Sequence, residues 1–382
     1  MPSRPTSGTE LRPGASRTAT LAARYAERAD AEAELPRPVA ESIVDAGFAR
    51  HFVPASFGGR AGTVSDLLHA VADVARGCTS AAWCASVVAG AGRMGAYLPE
   101  EGQAELWAKG ADTVVVGALM PRGTATAARG GWRVTGEWAF TSAVAFSDWA
   151  LVCALLPHGD HRVPWFFALP RQDYRVTGTW TSVGMRGTGS RTLVAEDVFV
   201  PAHRGFARQD MITGRGVGSD ARCHTAPLRL VSGLLFGAPA LGAARAALDA
   251  WARDHGAGPA GEEPAVRTAL ARATVAVDGA ALLLERAARL ADAGGATELE
   301  LARTPADCAY AVEQLVDVVE RLLRTTGSSG QLAGHPLQRL WRDVHSLASH
   351  VALRFDPAGG AYGARLLDRF GHGPGSAGAT AH

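Results

Sequence analysis

Between Thr113 and Pro201 the chain changes its period, and that change limits the folds open to it. Inside this stretch, short β-branched and aromatic runs at 113–119, 131–136, 138–142, 149–155, 165–169, 174–179 and 192–199 follow at the spacing of an antiparallel sheet or barrel. Outside it the pattern is helical, with small and apolar residues three and four apart. Helices are expected over 21–33, 38–46, 64–76 and 81–91 upstream, and over 228–253, 264–290, 304–325 and from Pro336 downstream. Helices, a sheet, then four helices imply a bundle enclosing a small β-domain, an α+β chain that is mainly α. The expected boundaries are a disordered N-terminus (1–17), a helical N-terminal domain (18–112), an antiparallel β-domain (113–205), a C-terminal four-helix bundle (206–370) and a disordered tail (371–382).

Bulk properties narrow the function. A net charge of +1 gives no global attraction to nucleic acid or an anionic membrane. Five scattered cysteines, with no Cys-x-x-Cys, fit a reducing cytoplasm rather than a disulfide framework or zinc site. The first 17 residues lack the apolar core of a secretory signal, and no uninterrupted apolar run spans a bilayer. P-loop, nucleophile-elbow and His-Glu-x-x-His motifs are absent. His158 and His161 share a loop without third and fourth ligands, so no metal is expected.

Four stretches carry candidate chemistry. Near the C-terminus, Leu340, Val344, Leu347 and Val351 form an apolar stripe, and Asp356-Pro357 with Gly359-Gly360 is expected to stop that helix. His350 flanks the stripe, with Ser346 and Asp343 one and two turns before it. Such a histidine is either a general base or a satisfied core-edge residue. In Gly136-Glu-Trp138-Ala-Phe140-Thr141-Ser142 the ring of Phe140 suits the face of a planar ligand and Ser142, or the Thr141 backbone, its edge. Ordinary strand chemistry gives the same alternation. Gly184-Met-Arg186-Gly-Thr-Gly-Ser190 is either a β-turn or a cradle for an anion or carbonyl edge. The small-residue helix after Thr79-Ser-Ala-Ala-Trp83 packs closely on another helix or on a planar ligand.

In this order and at these separations, the pieces resemble one family. They are Val53-Pro54 with Phe57-Gly58-Gly59, Thr79 to Trp83, Gly130 to Ser142, Val183 to Ser190 leading to Glu196 to Pro201, and Gly327 to Asp343. They resemble the acyl-CoA dehydrogenase superfamily and, within it, the two-component flavin-dependent monooxygenases of group D. The resemblance implies a homotetramer with flavin between β-domain and bundle. It places Ser142 at flavin N5, with Trp138, Phe140, Thr141 and Arg186 around the cofactor. Gly327, Ser328 and Gly330 would reach it from a neighbouring subunit. Where dehydrogenases carry the base that takes the α-proton of a thioester, this chain has Val351 or Leu228. In the monooxygenase branch a histidine near this position is the base, and His350 matches it.

The expected reaction is hydroxylation of an aromatic, indole-type or amine small molecule, in natural-product biosynthesis or aromatic catabolism. A separate NAD(P)H-dependent reductase would supply reduced flavin, FAD in preference to FMN. Addition of O2 would give a C4a-hydroperoxyflavin. His350, near the ordinary histidine pKa of about 6.5, would deprotonate the substrate. Trp83, Phe236 and His350 would line its pocket. The alternatives are an acyl-CoA or acyl-carrier-protein dehydrogenase with a displaced base, and a non-catalytic scaffold homologue.

Overall fold

The structure, a computed structural model, describes residues 11–256 and 261–371. The N-terminal helices are α1 (Leu11–Glu32), α2 (Arg37–Asp45), α3 (Val64–Ala75), α4 (Thr79–Gly95) and α5 (Glu100–Leu106). Helix α1 begins seven residues before the expected order. Thr18 donates to the carbonyl of Ser42 in α2, and a Cβ at Gly14 would lie 2.8 Å from the Ala46 backbone, so tertiary contact orders a polar start. Of the expected tail, 371–382, Gly371 ends the last helix and residues 372–382 lie outside the described residues.

The strands are β1 (Val115–Ala128), β2 (Gly131–Thr141), β3 (Trp149–His158), β4 (His161–Pro170), β5 (Arg175–Thr177), β6 (Arg191–Pro201) and β7 (Gly205–Ala207). They form one sheet in the order β5-β6-β2-β1-β3-β4-β7. The period-two pattern has a direct structural meaning in β4. Phe167 and Leu169 face the main core, whereas Phe166 and Ala168 join Met94, Tyr97, Trp107 and Phe206 on the opposite side. One pairing departs from the antiparallel expectation, because β1 and β3 run parallel. Strand β2 ends beside the start of β1, and the chain crosses there through Val144–Phe146. The next strand must therefore leave in the direction of β1.

After short α6 (Arg208–Thr213) and α7 (Arg222–Thr225) come α8 (Leu228–His255), α9 (Pro264–Ala293), α10 (Glu298–Thr325), α11 (Pro336–Ala348) and α12 (Phe355–Gly371). Helix α8 is the one described helix long and apolar enough to cross a bilayer, but 78% of that window is buried, which marks a core helix. It packs on α3, α4, α9, α10 and α11. Small residues make this possible: a Cβ at Gly242 would lie 2.1 Å from the Ala72 carbonyl oxygen of α3. The small-residue α4 is likewise a close-packed helix, with Gly90 against Leu235 of α8.

Two features of the C-terminal region differ from expectation. Helix α11 ends at Ala348, so the apolar stripe does not continue helically to Val351, which is 64% exposed. Asp356 and Pro357 lie in the first turn of α12 instead of ending a helix, because proline needs no amide partner there.

The α3–α8 contact yields a stability prediction. Gly242→Ala sets a methyl against backbone that cannot move aside. It is expected to destabilise the chain by about 2 kcal/mol or more, seen as a lower thermal unfolding midpoint.

Candidate active site

The site is built where the end of β2 meets the 182–190 loop. Register shifts between Trp138 and Thr141, and Phe140 takes a left-handed φ of 62°. This bulge turns the Phe140 ring outward, 76% exposed, where it meets Trp180 edge-on at 5.8 Å. Trp138 goes the other way: its buried indole donates to the Cys153 carbonyl at 2.8 Å. Thr141 is also buried and donates to the Trp138 carbonyl at 3.0 Å. Neither side chain is therefore available to a cofactor, which differs from the expectation for Trp138. The Thr141 backbone, Phe140 and Ser142 remain.

The opposing loop is held from two sides. The buried Asp343 carboxylate of α11 accepts from the Met185 amide at 2.6 Å. A Cβ at Gly184 would lie 2.1 Å from the Arg342 carbonyl oxygen, so only glycine allows this approach. Arg342 donates to both carboxylate oxygens of Asp30 at 3.2 and 2.8 Å and to the Val183 carbonyl at 2.6 Å. Arg186 donates to the carbonyls of Asp30, at 2.8 Å, and Ser182, at 3.2 Å. Its guanidinium thus ties the loop to α1, where sequence reasoning had it facing a ligand. Burial raises the Asp343 carboxyl to about 6, against the opposing pull of the Met185 amide.

From this loop a line of hydroxyls reaches Ser142. Trp83 Nε1 donates to Ser142 Oγ at 3.0 Å, Ser142 and Ser190 are 2.7 Å apart, and Ser190 and Thr188 are 2.7 Å apart. Thr188 donates to the Met185 carbonyl at 2.8 Å. Ala143, also left-handed, closes the two loops by donating its amide to the Thr188 carbonyl at 3.1 Å.

Trp83 also connects Ser142 to His350. Its ring meets His350 edge-on at 5.7 Å and Phe236 of α8 at 5.0 Å, and Phe236 and His350 lie 3.7 Å apart. The three expected pocket residues thus form one cluster. His350 stands in the turn after α11, its Nδ1 accepting the Ala352 amide at 3.2 Å. It does not share a helix flank with Ser346 and Asp343, since the helix has already ended. Burial among aromatic rings lowers its pKa to about 4, not the expected 6.5. The ring is neutral at pH 7, and the Nδ1 contact leaves its proton on Nε2.

Gly327, Ser328 and Gly330 sit in the turn between α10 and α11. Gly327 and Ser328 are exposed, and Gly330 is buried against Leu323 and Thr326. No hydrogen bond or ring contact among the described residues joins them to Ser142 or His350. Sequence reasoning missed the hydroxyls of Thr188 and Ser190. Their loop had been read for its backbone amides and arginine, although the Thr-Gly-Ser run was a usable signal.

The residues present fit a flavin. A planar amphipathic ring system needs apolar faces and a few polar edge contacts. Phe140, two residues before Ser142, and Val183 of the 182–190 loop present exposed apolar side chains, 76% and 70% exposed. A pH prediction follows from His350. Between pH 6.5 and about 4 the unfolded chain binds a proton at His350 that the folded chain does not. Wild type is therefore expected to lose more stability than His350→Gln as pH falls through this window, with no further divergence below it. Denaturant melts of both proteins against pH measure the difference.

Known families and proteins resemble the chain over most of its length. The family model described as "Acyl-CoA dehydrogenase, N-terminal domain" matches residues 12–111, and that described as "Acyl-CoA dehydrogenase, C-terminal domain" matches residues 234–355. The chain is 31% identical over 348 residues to an FADH(2)-dependent resorcinol hydroxylase, oxygenase component, of Rhizobium sp. (strain MTP-10005), covering 82% of this chain and 83% of that one. It is 30% identical over 351 residues to the flavin-dependent monooxygenase, oxygenase subunit HsaA, of Rhodococcus jostii (strain RHA1), covering 87% and 91%. Among solved structures, a 3-HSA hydroxylase from Rhodococcus sp. RHA1 superimposes with a TM-score of 0.89 at 25% identity, covering 94% and 97%.

Proposed function

The chain belongs to the acyl-CoA dehydrogenase superfamily, in the branch of two-component flavin-dependent monooxygenases, and on that premise we propose a reaction and a role for each residue of the site. The protein is an oxidoreductase that uses reduced flavin and O2 to hydroxylate an aromatic small molecule. A separate NAD(P)H-dependent reductase supplies the flavin, FAD in preference to FMN. Bound reduced flavin provides the two electrons that let one oxygen atom enter the substrate while the other leaves as water. The resorcinol hydroxylase relative supports a phenolic substrate. Indole-type and amine substrates fit the same aromatic cluster.

One observation carries the reading: a single indole, Trp83, touches both Ser142 and His350. Ser142 would hold the flavin at its N5 edge, with Phe140, the Thr141 backbone and the 182–190 loop as its other contacts. Trp83 and Phe236 wall the substrate site. His350 donates from Nε2 to the substrate oxygen, holding it in place and favouring its ionised form. This role replaces the expected general base. A base would need Nε2 free of its proton, which the Ala352 contact opposes, and a pKa of about 4 makes the ring a weak proton acceptor. The protein assembles as a homotetramer in the cytoplasm, with Gly327, Ser328 and Gly330 offered to a neighbouring subunit's flavin. The exposed apolar side chains of Leu332 and Val351 suit such a contact.

A dehydrogenase reading lacks its base, because Val351 is exposed to solvent and Leu228 packs into an apolar cluster. The deciding experiment supplies the protein with a flavin reductase, NADH, FAD, a panel of phenols and 18O2. Label in a hydroxylated product is expected. Protein that instead purifies with oxidised flavin bleached by acyl thioesters would overturn the reading.

Two variants test the residue roles. His350→Ala is expected to lower product formation about 10²-fold, the usual cost of losing one donor at a reacting oxygen, with reduced-flavin affinity unchanged. His350→Gln, which keeps a donor, should regain about tenfold of that loss. A Gln variant as inactive as Ala would restore the general base. Ser142→Ala is expected to release several-fold more peroxide per product, by about the worth of one hydrogen bond. Unchanged coupling would remove Ser142 from the flavin.

A further inference from the structure

The hydroxyl line beside Ser142 has a direction. Thr188 has one hydroxyl hydrogen, and its 2.8 Å contact with the Met185 carbonyl consumes it, since a carbonyl oxygen only accepts. The 2.7 Å Thr188–Ser190 bond must then be donated by Ser190. With the Ser190 hydrogen spent, the 2.7 Å Ser142–Ser190 bond must be donated by Ser142. The Trp83 indole can only donate, and it does so to Ser142. Every bond therefore points one way, from Trp83 through Ser142, Ser190 and Thr188 to the Met185 carbonyl. That carbonyl is a fixed end: it also accepts from Trp180 Nε1 at 3.0 Å, and the Met185 amide is held by Asp343. Reversing the line would place oxygen lone pairs of Thr188 and Met185 against each other. Bonds aligned in one chain also polarise each other, which reinforces the direction.

We propose that Ser190 and Thr188, with Trp83, are positioning residues that fix Ser142 as a pure hydrogen-bond acceptor toward the flavin. The Ser142 oxygen has given its hydrogen away and received one from Trp83, so only a lone pair is left for the ligand. Nitrogen N5 of reduced flavin carries a hydrogen and can donate to it. The same nitrogen in oxidised flavin carries only a lone pair and meets another. The line thus acts as a redox-state filter, retaining the flavin that can react with O2 and releasing the spent one. This rests on the placement of Ser142 at N5 proposed above, and it extends to Ser190 and Thr188, whose hydroxyls act through Ser142.

The test is a pair of binding titrations, with oxidised FAD in air and with dithionite-reduced FAD under anaerobic conditions. They are made on wild type, Ser190→Ala, Ser190→Thr, Thr188→Val and Ser142→Ala. Either Ser190→Ala or Thr188→Val frees the Ser142 hydrogen to turn toward the ligand. The ratio of oxidised to reduced dissociation constants should fall roughly tenfold in each, the worth of one hydrogen bond exchanged for a lone-pair clash. A tenfold fall lowers the two-electron potential of bound flavin by about 30 mV, an independent readout. Ser190→Thr keeps the hydroxyl and should restore the ratio, which a merely structural role would not require. If one alanine-type variant does not fold, the other carries the test, because the two break the line at different bonds.

The failures are separable. Ser142→Ala that leaves both affinities unchanged overturns the placement of Ser142 at the flavin. Ser142→Ala that weakens reduced flavin, with wild-type ratios in Ser190→Ala and Thr188→Val, overturns the polarity proposal alone.

Discussion

The buried carboxylate of Asp343 is the contact on which the site depends. It lies on α11, yet it holds the Met185 amide in a loop of the β-domain. Around it, Gly184 lies against the α11 backbone and Arg342 bridges the Val183 carbonyl to Asp30 of α1. Three parts of the chain distant in sequence thus converge on three consecutive residues of the loop, Val183 to Met185. A carboxylate taken out of water resists ionisation, and its pKa of about 6 records that cost. An anion persists there only by accepting a fixed donor, which makes the contact directional as well as adhesive. The adjacent Arg342 and Asp343 thus share one structural task, joining α11 to the loop.

Much of the fold was legible because burial imposes a period. Residues such as Phe166 and Phe167, adjacent in sequence but buried on opposite faces, are what a period-two stretch inside a mixed protein produces. Pairing direction is not encoded that way. The parallel β1–β3 pair follows from where the chain crosses after β2, and no residue in either strand announces it. The end of α11 failed for a related reason. Val351 continues the apolar spacing, yet it is exposed, and the chain turns at Ser349 where nothing obliges a helix to stop.

In the site, residues with a distinctive side chain were found and those whose role depends on a neighbour were not. Trp83, Phe236, Ser142 and His350 stood out as aromatic or polar groups in apolar surroundings, and they do meet. Trp138 stood out equally and serves the sheet instead, because an indole inside a core takes the nearest carbonyl. The direction of a hydroxyl is set by the acceptor beyond it, here a carbonyl two bonds further along the line, and no local reading of a serine contains that. The same holds for His350, whose proton is located by an amide two residues later.

The double engagement of Trp83 limits how such a protein can diversify. Its ring forms part of the wall beside His350, and its nitrogen begins the line that orients Ser142. Under the roles proposed for Trp83 and Ser142, a lineage that enlarged its pocket by trimming Trp83 would alter cofactor handling in the same step. Phe236, whose contacts in this cluster are ring contacts alone, has no such tie. Changes in molecular preference are therefore channelled through α8, leaving α4 as the element that selection can least afford to vary.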